Sequence, residues 1–324
     1  MRNHPSPTSG SPGYIHVIAP DRTYWKARLL NGLLRLVFKS RFGSSIDIST
    51  LRSQFHRLDQ QASLERLRDV RQDSVNCNGV NAEWLSPKHN HKDRILLYIH
   101  GGAFVAYTRN TYATMVSSWC QSLKARALMV DYSLAPEHPF PAAFEECITA
   151  YRWLLDQGFN AGDIVIAGDS AGGNLAMTTL QNIQSQSLPL PSCAVLLSPF
   201  LDFTLSGASA LDNARQDPVF TPGFAIGIRH FYARAEEITR PEVSPLFGDF
   251  SGLPPLLFQV GSTEMLLDDA VRAAAKAHDA DVPVRLEIWK RLPHVFQMID
   301  ALPQAEAAAD NIIDFIKQHT GWST

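Results

Sequence analysis

A serine hydroxyl becomes a nucleophile when a histidine takes its proton and a carboxylate orients that histidine. Ser170 has the setting this chemistry requires. It lies in Gly168-Asp169-Ser170-Ala171-Gly172, after the apolar run Ile164 to Ala167 and before Asn174-Leu175-Ala176-Met177. A strand, a tight turn and a helix in that order lift the hydroxyl to a helix N-terminus, where partial positive charge favours a developing anion. The turn leaves almost no room for side chains two residues before and two after the serine, a need that Gly168 and Gly172 meet. The five-residue pattern alone is a weak signal. Its partners decide.

The base and the acid are expected on loops after late strands, in the order serine, acid, histidine. Of the eleven histidines, His230, His278, His294 and His319 follow Ser170. His230 falls in a long non-strand segment, His278 inside a helical stretch and His319 near the chain end. His294, in Arg291-Leu-Pro-His-Val-Phe-Gln297, follows the last strand and is the base. The acid should follow the strand ending at Val260, in Gly261-Ser-Thr-Glu-Met-Leu-Leu-Asp-Asp269. Asp268 and Asp269 begin a helix, where carboxylates stabilise the dipole without any catalytic part. Glu264 is nearer the strand end and is the acid this reading selects, with Asp268 as the fallback.

The tetrahedral intermediate needs preorganised N–H donors for its oxyanion. One is expected from Ala171, and the others from Gly101, Gly102 and Ala103 in His100-Gly-Gly-Ala-Phe104, at the end of an early buried strand.

These elements imply an α/β fold. Val70 to Leu85 reads as two strands joined at Asn78-Gly79. From residue 94 onward, short apolar strands alternate with amphipathic helices, which implies right-handed crossovers and a parallel sheet. Residues 1–13 read as a disordered tail. Arg22 to Phe42 reads as a basic amphipathic helix packed on its own domain, and Thr50 to Arg68 as a second, surface helix. The segment 200–250 carries Phe203, Phe220, Phe224, Phe231 and Tyr232 without a strand pattern. With residues 14–68 it is expected to cap the serine. The domain reading is thus a tail and cap helices over 1–68, core over 69–200, a cap insertion over 201–250 and core again over 251–324. Phe104, Phe203, Phe224 and Trp25 are the expected substrate contacts.

Composition narrows the function classes. The net charge is −3, so no overall basic excess exists to neutralise phosphates, and a nucleic-acid partner is excluded. Residues 1–71 hold 12 Lys/Arg against 5 Asp/Glu, a local excess read as a solvated helix face. Cys77, Cys120, Cys147 and Cys193 are widely spaced, which fits a reduced compartment rather than a disulfide scaffold or zinc site. No signal-peptide pattern opens the chain and no run reaches the ~18 apolar residues of a span, so the expectation is a cytoplasmic protein without stable membrane insertion. His89-Asn-His91 reads as a solvated turn, and no metal is called for.

Four motifs in order are similar to those of the hormone-sensitive-lipase-like esterases, bacterial family IV: His100-Gly-Gly-Ala-Phe104, Asp131-Tyr-Ser-Leu-Ala-Pro-Glu-His-Pro-Phe-Pro-Ala142, Gly168-Asp-Ser-Ala-Gly-Gly-Asn174 and His294. The resemblance covers about 94–320. It implies an α/β-hydrolase with an eight-stranded, mostly parallel sheet and a helical cap. It also implies hydrolysis of short to medium carboxylic esters without a cofactor, and a bracing part for Asp131 to Ala142. Two departures stand out. Ala103 replaces the usual third glycine, the family drawing its oxyanion donors from the second and third positions. Glu264 stands at the first aspartate of the family's Asp-x-Leu-x-Asp, as in a subgroup of the family. Lactone or steryl-ester hydrolysis would use the same machinery. Plant gibberellin receptors share the scaffold but lack the histidine, which is present here. The partner expected is a small-molecule ester, and homodimer formation is compatible with the sequence.

Overall fold

The computed structural model describes residues 12–20, 24–39 and 47–322. The expected tail up to residue 11, and the ends of the first helix at 22–23 and 40–42, lie outside them. The chain begins with β1 (Ile15–Ile18), α1 (Tyr24–Leu34), a π-helical turn over Arg35–Lys39, and α2 (Ile48–Asp59). The hairpin β2 (Val70–Cys77) and β3 (Val80–Pro87) pairs antiparallel. Its two-residue turn has φ of +53° at Asn78 and +101° at Gly79, which matches the twist of the strands it joins.

The alternating part follows: β4 (Ile95–Ile99), α3 (Arg109–Leu123), β5 (Arg126–Val130), α4 (Ala142–Asp156), β6 (Ile164–Asp169), α5 (Ser170–Ser185) and β7 (Cys193–Leu197). Between β7 and β8 lie two helices and no strand, α6 (Ser209–Asp212) and α7 (Pro222–Tyr232). The chain closes with β8 (Leu256–Gly261), α8 (Leu267–Asp279), β9 (Val284–Trp289) and α9 (Pro303–Thr320).

The strands form one sheet in the order β1-β9-β8-β7-β6-β4-β5-β3-β2. Its neighbours are parallel from β1 to β5 and antiparallel at β5-β3 and β3-β2. Every residue of β4, β6, β7 and β8 is buried, as expected of strands covered by helices on both faces.

The sheet has nine strands among the described residues, not eight. Ile15–Ile18 pairs parallel with Leu286–Trp289, so this piece of the expected cap belongs to the core. The four residues Ile15–Ile18 are too few to show a pattern of their own, and only pairing with β9 defines them as a strand.

The first helix packs on its own domain, as its pattern implies, but its basic residues are not all a solvated face. Ala27 is fully buried against Trp289, Leu292 and Phe296, and Asn31 Nδ2 donates to Arg291 O at 3.1 Å. Lys39 Nζ donates to the carbonyls of Ala214 and Asp217, and Arg35 to that of Gln216. These basic groups satisfy backbone acceptors of the 200–250 segment. Trp25, Leu29, Leu33 and Leu36 of the same stretch remain exposed. No helix among the described residues is long and apolar enough to cross a membrane.

Candidate active site

Ser170 closes β6 and opens α5 with φ of +52°, a left-handed conformation costing an L residue roughly 1–2 kcal/mol. Neighbouring backbone enforces it. A Cβ on Gly172 would collide with the carbonyl oxygens of Ile99 and His100, and one on Gly168 with that of Gly172. Asn174 Nδ2 then donates to Phe200 O and Val243 O, both at 2.8 Å, tying the first turn of α5 to the segment after β7.

Asp169, just before the serine, is buried beneath the early glycine loop. Its Oδ1 accepts from Tyr98 Oη at 2.8 Å and Gly101 N at 3.0 Å, and its Oδ2 from Tyr112 Oη at 3.0 Å. Burial outweighs these donors and pushes its carboxyl up to about 6. The Gly101 N–H is therefore committed to Asp169. Of the expected oxyanion donors, Gly101 is removed by this bond.

Gly102 and Ala103 carry φ of +109° and +57°. A side chain at 102 would run into Ala106 O, so only glycine fits there. Ala103 holds a conformation that glycine would adopt freely. His100, at the head of this loop, is fully buried between Tyr107 and Tyr132, with ring centroids 3.9 and 4.1 Å away. Its Nδ1 lies 2.6 Å from Gly101 O, and desolvation lowers its pKa to about 3, so the ring is neutral.

Glu264 sits three residues beyond β8 and is fully buried. Its Oε2 lies 2.8 Å from His294 Nδ1, while Oε1 accepts from Ser198 Oγ at 2.7 Å and from Gly261 N–H. Asp268 faces elsewhere, accepting Ser209 N at 2.9 Å, and Asp269 accepts the N–H groups of Leu201 and Asp202. Both aspartates stitch α8 to the segment after β7, and Glu264 alone of the three carboxylates holds His294.

Ser170 and His294 line one cavity of about 280 Å³. Gly102, Ala103, Asp169 and Tyr112 contribute to its floor. Its walls are apolar: Leu34, Phe55 and Leu58 from α1 and α2, Phe220 and Phe224 from the 200–250 segment, and Met298 and Ile299 after His294. The Phe220 ring centroid is 4.5 Å from that of His294. A second, smaller cavity adjoins Ser170 and includes Ala171.

Of the expected substrate contacts, Phe224 lines both cavities. Phe104 and Phe203 are fully buried in the core instead, their rings 5.6 Å apart, with Phe104 stacked on Tyr232 at 3.8 Å. An aromatic in this segment reads alike whether it faces substrate or protein, and α7 turns Tyr232 inward over Phe104. Trp25 is 59 % exposed and lies outside both linings, because α1 presents Leu34 to the cavity at its far end.

Sequence reasoning missed Ser198 and Asp217. Ser198 lies just past the carboxyl end of β7, where ligand-side loops begin, a position that could have flagged it. Asp217 is fully buried, its Oδ1 accepting Val219 N and Phe220 N and its Oδ2 accepting Met265 N at 2.8 Å. It fastens the Phe220 wall to the loop of Glu264, and burial raises its carboxyl pKa.

Residues 96–298 match the family model described as the alpha/beta hydrolase fold. The chain is 34% identical over 298 residues to an esterase of Acinetobacter venetianus, covering 90% of this chain and 96% of that one. The chain belongs to the hormone-sensitive-lipase-like esterases. An acetyl-hydrolase of Streptomyces hygroscopicus is 36% identical over 250 residues, 77% of this chain and 83% of its own. The solved structure of an esterase from the bacterial hormone-sensitive lipase family superposes with a TM-score of 0.85 at 34% identity, covering 94% of this esterase and all of that chain. The structure of EstE5 soaked with ethyl alcohol gives a TM-score of 0.85 at 34% identity, over 93% of this esterase and all of that chain.

Proposed function

We propose that this esterase hydrolyses small to medium apolar carboxylic esters through an acyl-enzyme on Ser170. In this reading Ser170 Oγ attacks the ester carbonyl and His294 takes its proton through Nε2, the nitrogen left after Nδ1 meets Glu264. Glu264 fixes that tautomer and stabilises the imidazolium. The N–H groups of Gly102, Ala103 and Ala171 receive the oxyanion. His294 then protonates the leaving alcohol, and water activated by the same ring releases the acid. No cofactor takes part in any step.

The observation that carries the reading is the Glu264–His294 contact of 2.8 Å at the wall of the cavity that holds Ser170. The apolar lining supports an apolar substrate. The buried, unpaired thiols of Cys77, Cys120, Cys147 and Cys193 support a reducing compartment, and our reading of the location is the cytoplasm.

A fluorophosphonate probe tests the proposal. Stoichiometric labelling of wild type at Ser170, absent in Ser170→Ala, is expected, together with a fall in turnover of roughly 10⁶. A folded wild-type protein that resists the probe and leaves esters intact would instead be a ligand-binding relative on the same scaffold.

A further inference from the structure

Helix α1 carries apolar side chains on two opposite sides. Inward, Ala27 is buried in the core and Leu34 lines the cavity that holds Ser170. Outward, Trp25, Leu29 and Leu33 recur every four residues, and each is more than half exposed. At about 100° per residue these three fall within an arc of roughly 80°, centred opposite buried Ala27 and Asn31. Apolar residues scattered singly on a surface are ordinary, whereas a contiguous patch marks an interaction site. Of the nine large apolar side chains left exposed among the described residues, four (Trp25, Leu29, Leu33 and Leu36) stand between residues 25 and 36.

Charge identifies what this face fits. From residue 22 to residue 46 the sequence holds Arg22, Lys26, Arg28, Arg35, Lys39 and Arg41, and no Asp or Glu. Lys26 and Arg28 are exposed and flank the apolar stripe, one on either side. Over residues 72–324 the sign reverses, with 17 Lys/Arg against 27 Asp/Glu. A second copy of this chain would set cation against cation, because a two-fold axis brings the same patch against itself. A surface that is negative outside and apolar beneath answers both features. A bilayer with anionic headgroups has that profile. Leucines enter the acyl boundary, a tryptophan ring sits at headgroup level and basic side chains meet the phosphates.

We propose that α1 is a docking surface for anionic lipid bilayers, lying in the headgroup region with Trp25, Leu29 and Leu33 inserted. A helix that lies on a membrane needs no length to span it. The inference concerns where the protein sits and is independent of the acyl-enzyme reading. A bilayer held there lies one helix thickness, about 10 Å, from the lining of the cavity.

Vesicle flotation of the full-length protein tests this. Wild type is expected to partition at least ~10-fold more strongly onto equimolar phosphatidylglycerol and phosphatidylcholine than onto phosphatidylcholine alone. It should detach as salt rises from about 0.05 to 0.5 M, because screening removes the attraction. Leu29→Gln/Leu33→Gln should weaken partitioning at least ~30-fold, since two leucine side chains no longer leave water. Lys26→Gln/Arg28→Gln should weaken it about 25-fold on the anionic vesicles, near 5-fold per charge. Brominated acyl chains should quench part of the wild-type tryptophan fluorescence, and that quenching should vanish in Trp25→Phe.

Melting curves matching wild type establish that the variants fold. Should the leucine pair fail to fold, the charge pair and the bromolipid quenching decide. Wild type that stays off the anionic vesicles, or folded variants that float as wild type does, would overturn the inference. A concentration-dependent dimer that Leu29→Gln/Leu33→Gln dissociates, with no vesicle binding, would give the face to a second copy and overturn it as well.

Discussion

Ser198 Oγ donates to Glu264 Oε1 across 2.7 Å and itself accepts the N–H of Val295 at 3.2 Å. One buried side chain thus links the acid to the residue directly after His294. Val295 itself holds a φ of +45°, an outlier for a β-branched residue, so the loop needs such a tether. Ser198→Ala should lower kcat about 10-fold with KM little changed, because an orphaned buried acceptor costs ~1–3 kcal/mol and the imidazole loses its fixed seat. Steady-state kinetics with a melting curve checks this. An unaltered kcat would make Ser198 a purely structural link.

The identity of the acid is testable by isosteric exchange. Glu264→Gln should keep the fold and reduce kcat by about 10³–10⁴, since the amide favours the wrong tautomer of His294. Asp268→Asn should leave kcat within about threefold and reduce stability by ~1 kcal/mol, because its carboxylate serves the Ser209 N–H. Parallel kinetics and urea titrations on the two proteins distinguish the roles.

Gly102→Ala should lose about 10²–10³ in kcat. A Cβ there meets Ala106 O, and φ of +109° is closed to alanine, so the loop must shift and carry the neighbouring N–H groups with it. Fluorophosphonate labelling should slow by a similar factor, whereas simple misfolding would abolish the cooperative melt.

The aromatic residues divide into walls and core. Phe220→Ala should raise KM for apolar esters about 5- to 10-fold, since it strips apolar surface from the cavity beside His294. Phe104→Ala should cost about 3–5 kcal/mol of stability, as for other buried aromatics, with little change in the KM of the protein that remains folded. The contrast is read by pairing kinetics with denaturant midpoints.

Buried His100 gives stability a pH dependence. Its pKa is about 3 in the folded chain against 6.5 when unfolded. Between those values the unfolded chain binds the proton and the folded chain refuses it, so stability present above pH 6.5 is lost as pH falls, up to the order of 5 kcal/mol. Asp169 acts oppositely. Its pKa is raised from 3.8 to about 6, so across that window acidification favours the folded chain, by the order of 3 kcal/mol. The histidine effect is the larger. The difference in stability between wild type and His100→Gln should therefore shrink by several kcal/mol from pH 7 to pH 4. A constant difference in urea titrations would show that His100 does not titrate in this way.

Much of this site was legible because its chemistry is written locally. Gly168, Ser170 and Gly172 specify a turn by sterics alone, and Asn78-Gly79 specifies a hairpin. His294 and Glu264 follow from chain order and from the ends of strands. Other features depended on contacts distant in sequence. Phe104 and Phe203 are as aromatic as Phe224, and only the path of α7 decides which ring meets the cavity. Gly101 reads as an oxyanion donor from its place in the loop, whereas its N–H is held by the carboxylate of Asp169, 68 residues away. Ile15–Ile18 has a place in the sheet only because Leu286–Trp289 offers an open edge.

That edge strand decides how the helices lining the cavity are joined to the sheet. β1 lies upstream of α1 and α2, so the chain passes through the core sheet before it reaches the helix that supplies Leu34. These two helices are consequently spliced into the scaffold at both ends, between β1 and β2, not hung from one. Cutting them away, or grafting those of a relative, would also unzip β9 and leave its backbone amides and carbonyls facing solvent, an invitation to sheet-to-sheet association. Exchange of specificity between members of this group should therefore begin with the walls around Leu34, Phe55 and Leu58, leaving the first strand where it is.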